Sequence, residues 1–316
     1  MSSRRLEWMV AGCLAGWAAA RLTGADRFRG ARGTAPLLSF TPQAAAGAWA
    51  GALLLRGRGA AATAALAGTA LTAALAPRAL PRGPLPADGD GPGLRILTAN
   101  LRLGRAEAGP VVELARRTGA DVLFLQELTD DAAARLQQAG LGTLMPSQVT
   151  ETAPAGGRGS GIYARYPLAD GLAVAPATLN QPAARLDLPS GGSVQLVCVH
   201  SHPPGPWSRR ALARWRTELS VLPPPGDVPV ILAGDFNATL DHAQFRRLLR
   251  RGHVDAASHA GNGLIPTWGP LPDGGPGLLT IDHILIDPRC AVRATSVHRL
   301  PGSDHRAVYA ELRLPR

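Results

Sequence analysis

Lysine is absent from this chain; all 33 basic residues are arginine. Isoleucine and phenylalanine are scarce, while Ala, Gly, Pro and Arg dominate. That bias points to a GC-rich, bacterial genome and weakens any inference from Ala or Arg counts. Neither a Walker A element nor a GxGxxG element is present, which excludes the common nucleotide-cradling loops. The three cysteines, Cys13, Cys198 and Cys290, lie far apart without CxxC spacing, so a zinc site is not expected. Cys13, in an apolar segment, and Cys198, in "VQLVCVH", read as small buried residues; a Cys198–Cys290 disulfide is left open. No Ser or Cys nucleophile motif competes, since "GRGSG" lacks the strand-to-helix setting of a nucleophile elbow. The net charge of +10 is unevenly placed. Ten arginines face four acids before Leu94, a net of +6, and 23 face 19 from Leu94 onward, a net of +4. Composition alone therefore does not make the larger part a DNA binder.

What is there falls into two regimes. Residues 1–76 hold three apolar runs, 6–22, 35–55 and 60–76, with no charge beyond Glu7 and Arg21 at the two edges of the first. A membrane-spanning helix needs about 20 mainly apolar residues, and a soluble bundle would show a polar stripe of period 3.6. We therefore expect about three transmembrane helices, the last two as a hairpin around Arg56–Arg58. An alternative for the first run is a cleaved signal peptide, with Arg4 and Arg5, an apolar centre and Ala18–Ala20 as cleavage site. Arg4, Arg5, Arg56 and Arg58 favour an inside N-terminus, whereas Arg21, Arg27, Arg29 and Arg32 oppose it. Three spans from an inside N-terminus would put the remainder outside the cytoplasm, on the cell membrane. Residues 77–93, "PRALPRGPLPADGDGPG", read as a linker, and 94–316 as one well-buried α/β or α+β domain.

Within that domain "LRILTANL", "DVLFLQEL", "SVQLVCVH", "VPVILAGDFN", "IDHILI" and "RAVYAEL" read as strands. "GPVVELARRTG", "WSRRALARWRTELSVL" and "DHAQFRRLLRRG", the last with Asp241 as cap, read as helices. The mixture suggests two packed sheets with helices outside. The polar ends of the strands carry chemistry: Asn100, Glu127, His200, Asp235 with Asn237, Asp282, and Asp304 with His305. Charges beside apolar runs are costly unless paired or metal-bound. Glu, Asp and Asn oxygens suit Mg²⁺ or Mn²⁺, and two histidines near carboxylates suit proton transfer or phosphate contact. If Asp235 and Asn237 lie on extended chain, they face the same way while Phe236 packs away.

"TANL", "LQE", "GIYARYPL", "VHSHPP", "GDFN", "PTW", "IDHIL" and "SDHRAV", in that order, resemble the endonuclease/exonuclease/phosphatase superfamily over almost all of 94–316. The resemblance implies a four-layer α/β sandwich and metal-dependent hydrolysis of a phosphoester. It implies Glu127, with Asn100 beside it, as metal ligands, and a metal-ligand or orienting role for Asp304. Asp235 would orient or deprotonate the water, and Asn237 hold the phosphate. His305 would be the essential histidine, positioned by Asp282, and His200 a second histidine contacting phosphate. Trp268 is a candidate for the substrate path, with core packing as the rival reading. Arg209, Arg210, Arg214 and Arg216 are expected on a solvated helix face, and "GIYARYPL" as scaffold. The chain also resembles the actinobacterial membrane proteins of this superfamily associated with glycopeptide resistance (the VanJ type), which implies a lipid-linked, undecaprenyl-type phosphate as substrate. The alternatives are a membrane-anchored or secreted nuclease acting on nucleic acid and a non-catalytic binding module. No protein partner is expected.

Overall fold

The computed structural model describes residues 2–28, 33–83, 91–174, 177–205, 208–271 and 275–315. From residue 93 onward the strands are β1 (Gly93–Asn100), β2 (Val122–Gln126), β3 (Ser147–Glu151), β4 (Ser160–Ala164), β5 (Leu168–Asp170) and β6 (Ala183–Asp187). They continue with β7 (Ser193–His200), β8 (Val230–Asp235), β9 (Val254–Asp255), β10 (Asp282–Ile286), β11 (Ala291–Arg299) and β12 (Arg306–Arg313). Two six-stranded mixed sheets result, ordered β11-β12-β1-β2-β4-β3 and β5-β6-β7-β8-β10-β9.

The continuous apolar runs are those whose strands are covered on both faces. Between the sheets, Ile96, Phe124 and Ile162 pack with Leu196, Cys198, Ile231 and Ile284. On the outer face of the first sheet, Leu97 and Leu123 meet the apolar sides of two helices, Ala108–Arg117 and Asp130–Gln138. On the outer face of the second, Val197 and Leu232 meet Trp215 and Phe245 of the helices Arg209–Val221 and Ala243–Leu249. This is the four-layer arrangement expected. The central pairs β1–β2 and β7–β8 are parallel, so Asn100, His200 and Asp235 all emerge at carboxyl ends of strands. Cys198 and Cys290 are both free and buried.

Before the sandwich lie α1 (Ser3–Thr23), α2 (Thr34–Leu38), α3 (Thr41–Leu54) and α4 (Arg58–Leu75). The apolar run 35–55 is thus not one helix. It breaks at Ser39–Phe40, and α3 restarts with Pro42 in its first turn, where the missing N–H costs nothing. Among the described residues one helical stretch, Arg58–Arg78, is long and apolar enough to cross a membrane by length and composition. At 14 residues α3 is short, and α1 carries Arg4, Arg5, Glu7 and Arg21.

The three long helices run up, down and up. At one end Glu7 accepts backbone N–H bonds from Arg56 and Gly57. At the other end the bundle is fastened to the sandwich. Arg21 and Arg78 both donate to Oδ1 of Asp241, and all three side chains are buried. The His242 ring bonds the carbonyl of Ala35 (2.7 Å) and lies 3.3 Å from Ser39 Oγ. Asp26 accepts the N–H of Ala243. Three expectations change here. Asp241 is an ion-pair partner and not a helix cap. Arg216 is half-buried and donates to the carbonyls of Asp26 and Phe28, so it is not on a solvated face. The start of the expected linker is docked: Arg82 N donates to His259 O, and Gly263 N to Arg78 O. Residues 84–90 of that linker lie outside the described residues.

Candidate active site

Every predicted strand-end residue arrives at one edge of the two sheets. The antiparallel register of β8 and β10 sets Asp235 opposite Asp282, and the parallel register of β7 and β8 sets His200 beside Asp235. Close approach here requires Gly234. Its φ is +148°, and a Cβ would sit 1.9 Å from the carbonyl oxygen of Val199. Among the described residues, the non-glycine residues with positive φ are Arg102, Leu103, Glu127 and Asn237. All four belong to this edge, where a held, unfavourable backbone marks a functional site.

Asp235 is buried and sits at the centre. Its Oδ2 accepts from Asn100 Nδ2 (3.1 Å) and lies 3.8 Å from His305 Nε2 and 3.9 Å from His200 Nε2. Burial and the neighbouring Asp282 push its carboxyl up to about 7. His305 Nδ1 lies 3.0 Å from Asp282 Oδ2. Burial works against its charge, but Asp282 beside it, with Asp235 and Asp304, carries it up to about 10. His200 has no such partner, and burial, with the nearby charge of His305, takes it down to about 3. The edge thus holds one charged and one neutral imidazole around one carboxyl.

Asn237 does share the site with Asp235, but not through an extended strand. Its φ is +46°, and the chain turns so that Asn237 N donates to Asp235 Oδ1 (2.8 Å) and Nδ2 to Ser201 O (2.9 Å). This is an Asp-nucleated turn, and it leaves Phe236 fully buried against Phe245 and His283.

The metal residues are placed less uniformly. Glu127, the more open carboxylate, accepts from Asn100 Nδ2 (3.1 Å) and from Leu103 N (2.5 Å). Asn100 gives its N–H₂ to both carboxylates, while its oxygen accepts from Arg102 N. Asp304 stands at the rim, 3.7 Å from Arg102 Nε and bonded to Trp268 Nε1 (3.2 Å). Trp268 is half-buried and lines the cavity over the site. Among the described residues, the group of three whose acidic and imidazole atoms all fall within 4.8 Å of one another is Asp235, Asp282 and His305, not the predicted metal set. In that group Asp282 is spent on His305, so Glu127, with Asp235 adjoining, supplies the hard oxygens that suit a divalent cation; Asn100, expected as a ligand, instead turns its N–H₂ to these carboxylates and its oxygen to Arg102 N.

Sequence reasoning missed the supports. Thr267 Oγ1 accepts from the N–H groups of both Ile281 and Asp282 at 3.0 Å. Ser303 Oγ donates to Asn100 O (2.8 Å) and accepts from His305 N (3.0 Å), tying two walls of the site together. Their signal was the hydroxyl inside "PTW" and inside "SDH", beside the residues that drew attention. Arg102 and Arg105 also line the cavity.

A family model described as endonuclease/exonuclease/phosphatase family matches residues 97–305. No curated protein sequence matches. Among solved structures, an endonuclease/exonuclease/phosphatase from Beutenbergia cavernae shares 20% identity over 71% of this chain and 72% of its own, with TM-score 0.56. A humanized TDP2 of D. rerio shares 19% over 70% and 98% (TM-score 0.54). An AP endonuclease from Archaeoglobus fulgidus shares 17% over 69% and 98% (TM-score 0.54). At these identities the likeness is one of fold.

Proposed function

This chain belongs to the endonuclease/exonuclease/phosphatase family and is a metal-dependent phosphoric ester hydrolase; we propose that it is a membrane-anchored phosphatase or phosphodiesterase acting on a lipid-linked phosphate, of the VanJ type. One observation carries this reading. The helical bundle leaves Leu6, Trp8, Met9, Trp49, Leu53, Leu54 and Leu66 exposed along its length, while its inner end is clamped beside the active site. A soluble protein rarely exposes this many large apolar side chains on one helical bundle. The 21 residues of Arg58–Arg78 would extend about 30 Å, the thickness of a bilayer's hydrocarbon core.

We infer the topology with the help of the same contacts. Arg4, Arg5, Arg56 and Arg58 gather at the end where Glu7 meets Gly57, remote from the sandwich. Arg21 and Arg78, at the other end, share the single carboxylate of Asp241, which cancels one of their two charges. Arg27, Arg29 and Arg32, in the sequence between α1 and α2, offset the remaining difference, so our placement of the remote end in the cytoplasm and the catalytic domain outside it rests on the odd number of spans and an inside N-terminus.

At the site, Glu127, with Asp235 adjoining, would hold Mg²⁺ or Mn²⁺, and Asn100, which donates to both carboxylates, would position them. Such a cation supplies charge neutralisation on the phosphoryl oxygens. Asp235, with its carboxyl raised toward neutrality, takes the proton of the attacking water. His305, kept charged and oriented by Asp282, stabilises the extra negative charge of the transition state. Neutral His200 and the Asn237 amide hold phosphoryl oxygens. Asp304 and Trp268 shape the entrance.

The test is phosphate release by the full chain reconstituted in liposomes with Mg²⁺, comparing polyprenyl phosphate, sphingomyelin and plasmid DNA. Turnover of DNA alone overturns the lipid reading. It would support a nuclease, the second reading, which Arg102 and Arg105 in the cavity wall favour. A C-terminal reporter active only in the cytoplasm contradicts the topology.

A further inference from the structure

The cavity over the site has a volume of about 880 Å³, and its floor holds Glu127, His200, Asp235, Asn237 and His305. One part of its wall does not come from the catalytic domain. Pro36 of α2, with Ser39 and Phe40 of the break that follows it, lines it together with Leu279 and Ile281. This segment is held there by two contacts. His242, five residues after Asn237, bonds the carbonyl of Ala35 and meets Ser39 Oγ. Gln43, in the first turn of α3, donates to the carbonyl of Leu278 (2.8 Å).

The side chains of this wall are mainly apolar. Pro36 has no N–H, Phe40 N donates to Leu37 O, and Ser39 Oγ is buried 3.3 Å from His242 Nε2. What Pro36 and Phe40 offer the cavity is therefore hydrocarbon. A phosphate needs donors and cations, which the floor supplies, and gains nothing from Pro36 or Phe40. The group attached to the phosphate does. Beyond the cavity, Leu37 and Leu22 are 55% and 59% exposed at the same end of the bundle, so an apolar chain leaving the cavity would continue over apolar surface.

We propose that Pro36 and Phe40, with Leu279 and Ile281, form a subsite for the first segment of a linear hydrocarbon chain esterified to the phosphate. The N-terminal region is then part of the active site and sets its specificity. This rests on the lipid-linked reading above. The experiment uses the full chain in liposomes with isopentenyl, farnesyl and undecaprenyl monophosphates, and measures kcat/KM for each. In the unaltered chain kcat/KM rises from isopentenyl to farnesyl phosphate. Phe40→Ser lowers the farnesyl-to-isopentenyl ratio about tenfold or more, the scale at which an apolar pocket discriminates a few methylenes. Phe40→Leu keeps most of the ratio. Leu279→Ser, on the catalytic domain and outside the bundle, lowers it independently of any loosening of α3. A ratio that stays within about twofold in both serine variants overturns the subsite while leaving a lipid-phosphate hydrolase standing. A chain that releases phosphate from none of the three yet cleaves DNA overturns both readings.

Discussion

Replacing Asp241 with alanine deletes one carboxylate and strands two guanidinium groups. The side chain of Asp241 is 1% exposed, and those of Arg21 and Arg78 are 10% and 6% exposed. Removing one partner of a buried ion pair costs about 3–5 kcal/mol, because the remaining charge stays away from water. Here the loss falls on the joint between bundle and sandwich, since Arg21 ends α1, Arg78 follows α4 and Asp241 precedes the helix Ala243–Leu249. For a chain of this size each kcal/mol moves Tm by about 1.5 °C, so Asp241→Ala should lower Tm by about 4–8 °C. The triad is not well satisfied, however. Both arginines reach Oδ1, and Oδ2 is buried without a hydrogen-bond partner. The triple replacement Arg21→Met, Asp241→Leu, Arg78→Met should therefore restore most of the loss, because apolar groups of similar volume need no such compensation. The assay is thermal unfolding of the full chain in detergent micelles. A single variant within about 2 °C of the unaltered protein, or a triple variant worse than the single one, refutes the reasoning.

Four further outcomes are expected. Asp235→Asn and His305→Ala should each lower kcat/KM by about 10²–10⁴-fold, while Asp282→Asn costs less alone and almost nothing once His305 is Ala. Strictly additive losses would show that the Asp282–His305 contact is not functional. Activity should require an added divalent ion, and Glu127→Gln should weaken that dependence before it lowers Tm; full turnover in excess chelator would dismiss the metal. Gly234→Ala should destabilise the fold by about 3 kcal/mol or more, since its Cβ would press on the Val199 carbonyl; an unchanged Tm contradicts this. Thr267→Val leaves two buried N–H groups without an acceptor, at about 1–3 kcal/mol each, whereas Thr267→Ser should behave as the unaltered protein in both Tm and rate.

The strands legible in the sequence, β1, β2, β7, β8, β10 and β12, lie inside the sheets; the core of β2, β8 and β10 is buried on both faces in a continuous apolar run, while β12 alternates buried with half-buried residues. β3, β5, β9 and β11 form the four edges. There "SQVTE" and "AVRATSVHR" are half-exposed and carry no such run. The site residues were legible for a related reason. An Asp or His at the mouth of an apolar strand is anomalous in a single sequence, whereas a hydroxyl such as Thr267 or Ser303 is not. Nor does spacing reveal that Asp241 reaches an arginine 220 positions away. Asp fits a helix cap equally well, and only the docked bundle distinguishes the two. The turn at Asn237 shows the limit of periodicity. The expectation that Asp235 and Asn237 meet was right, and the extended backbone invoked for it was not.

The left-handed conformations of Arg102, Leu103, Glu127 and Asn237 bear on how this protein can change over generations. A non-glycine residue held there costs about 1–2 kcal/mol relative to glycine. Stabilising substitutions are thus concentrated where they do most harm. Glycine at 127 or 237 would relax the backbone and delete a ligand or an amide in the same step. A population selected for thermal resilience alone would drift toward glycine at these positions and accumulate robust, inert variants. Selection for turnover keeps the backbone there under tension.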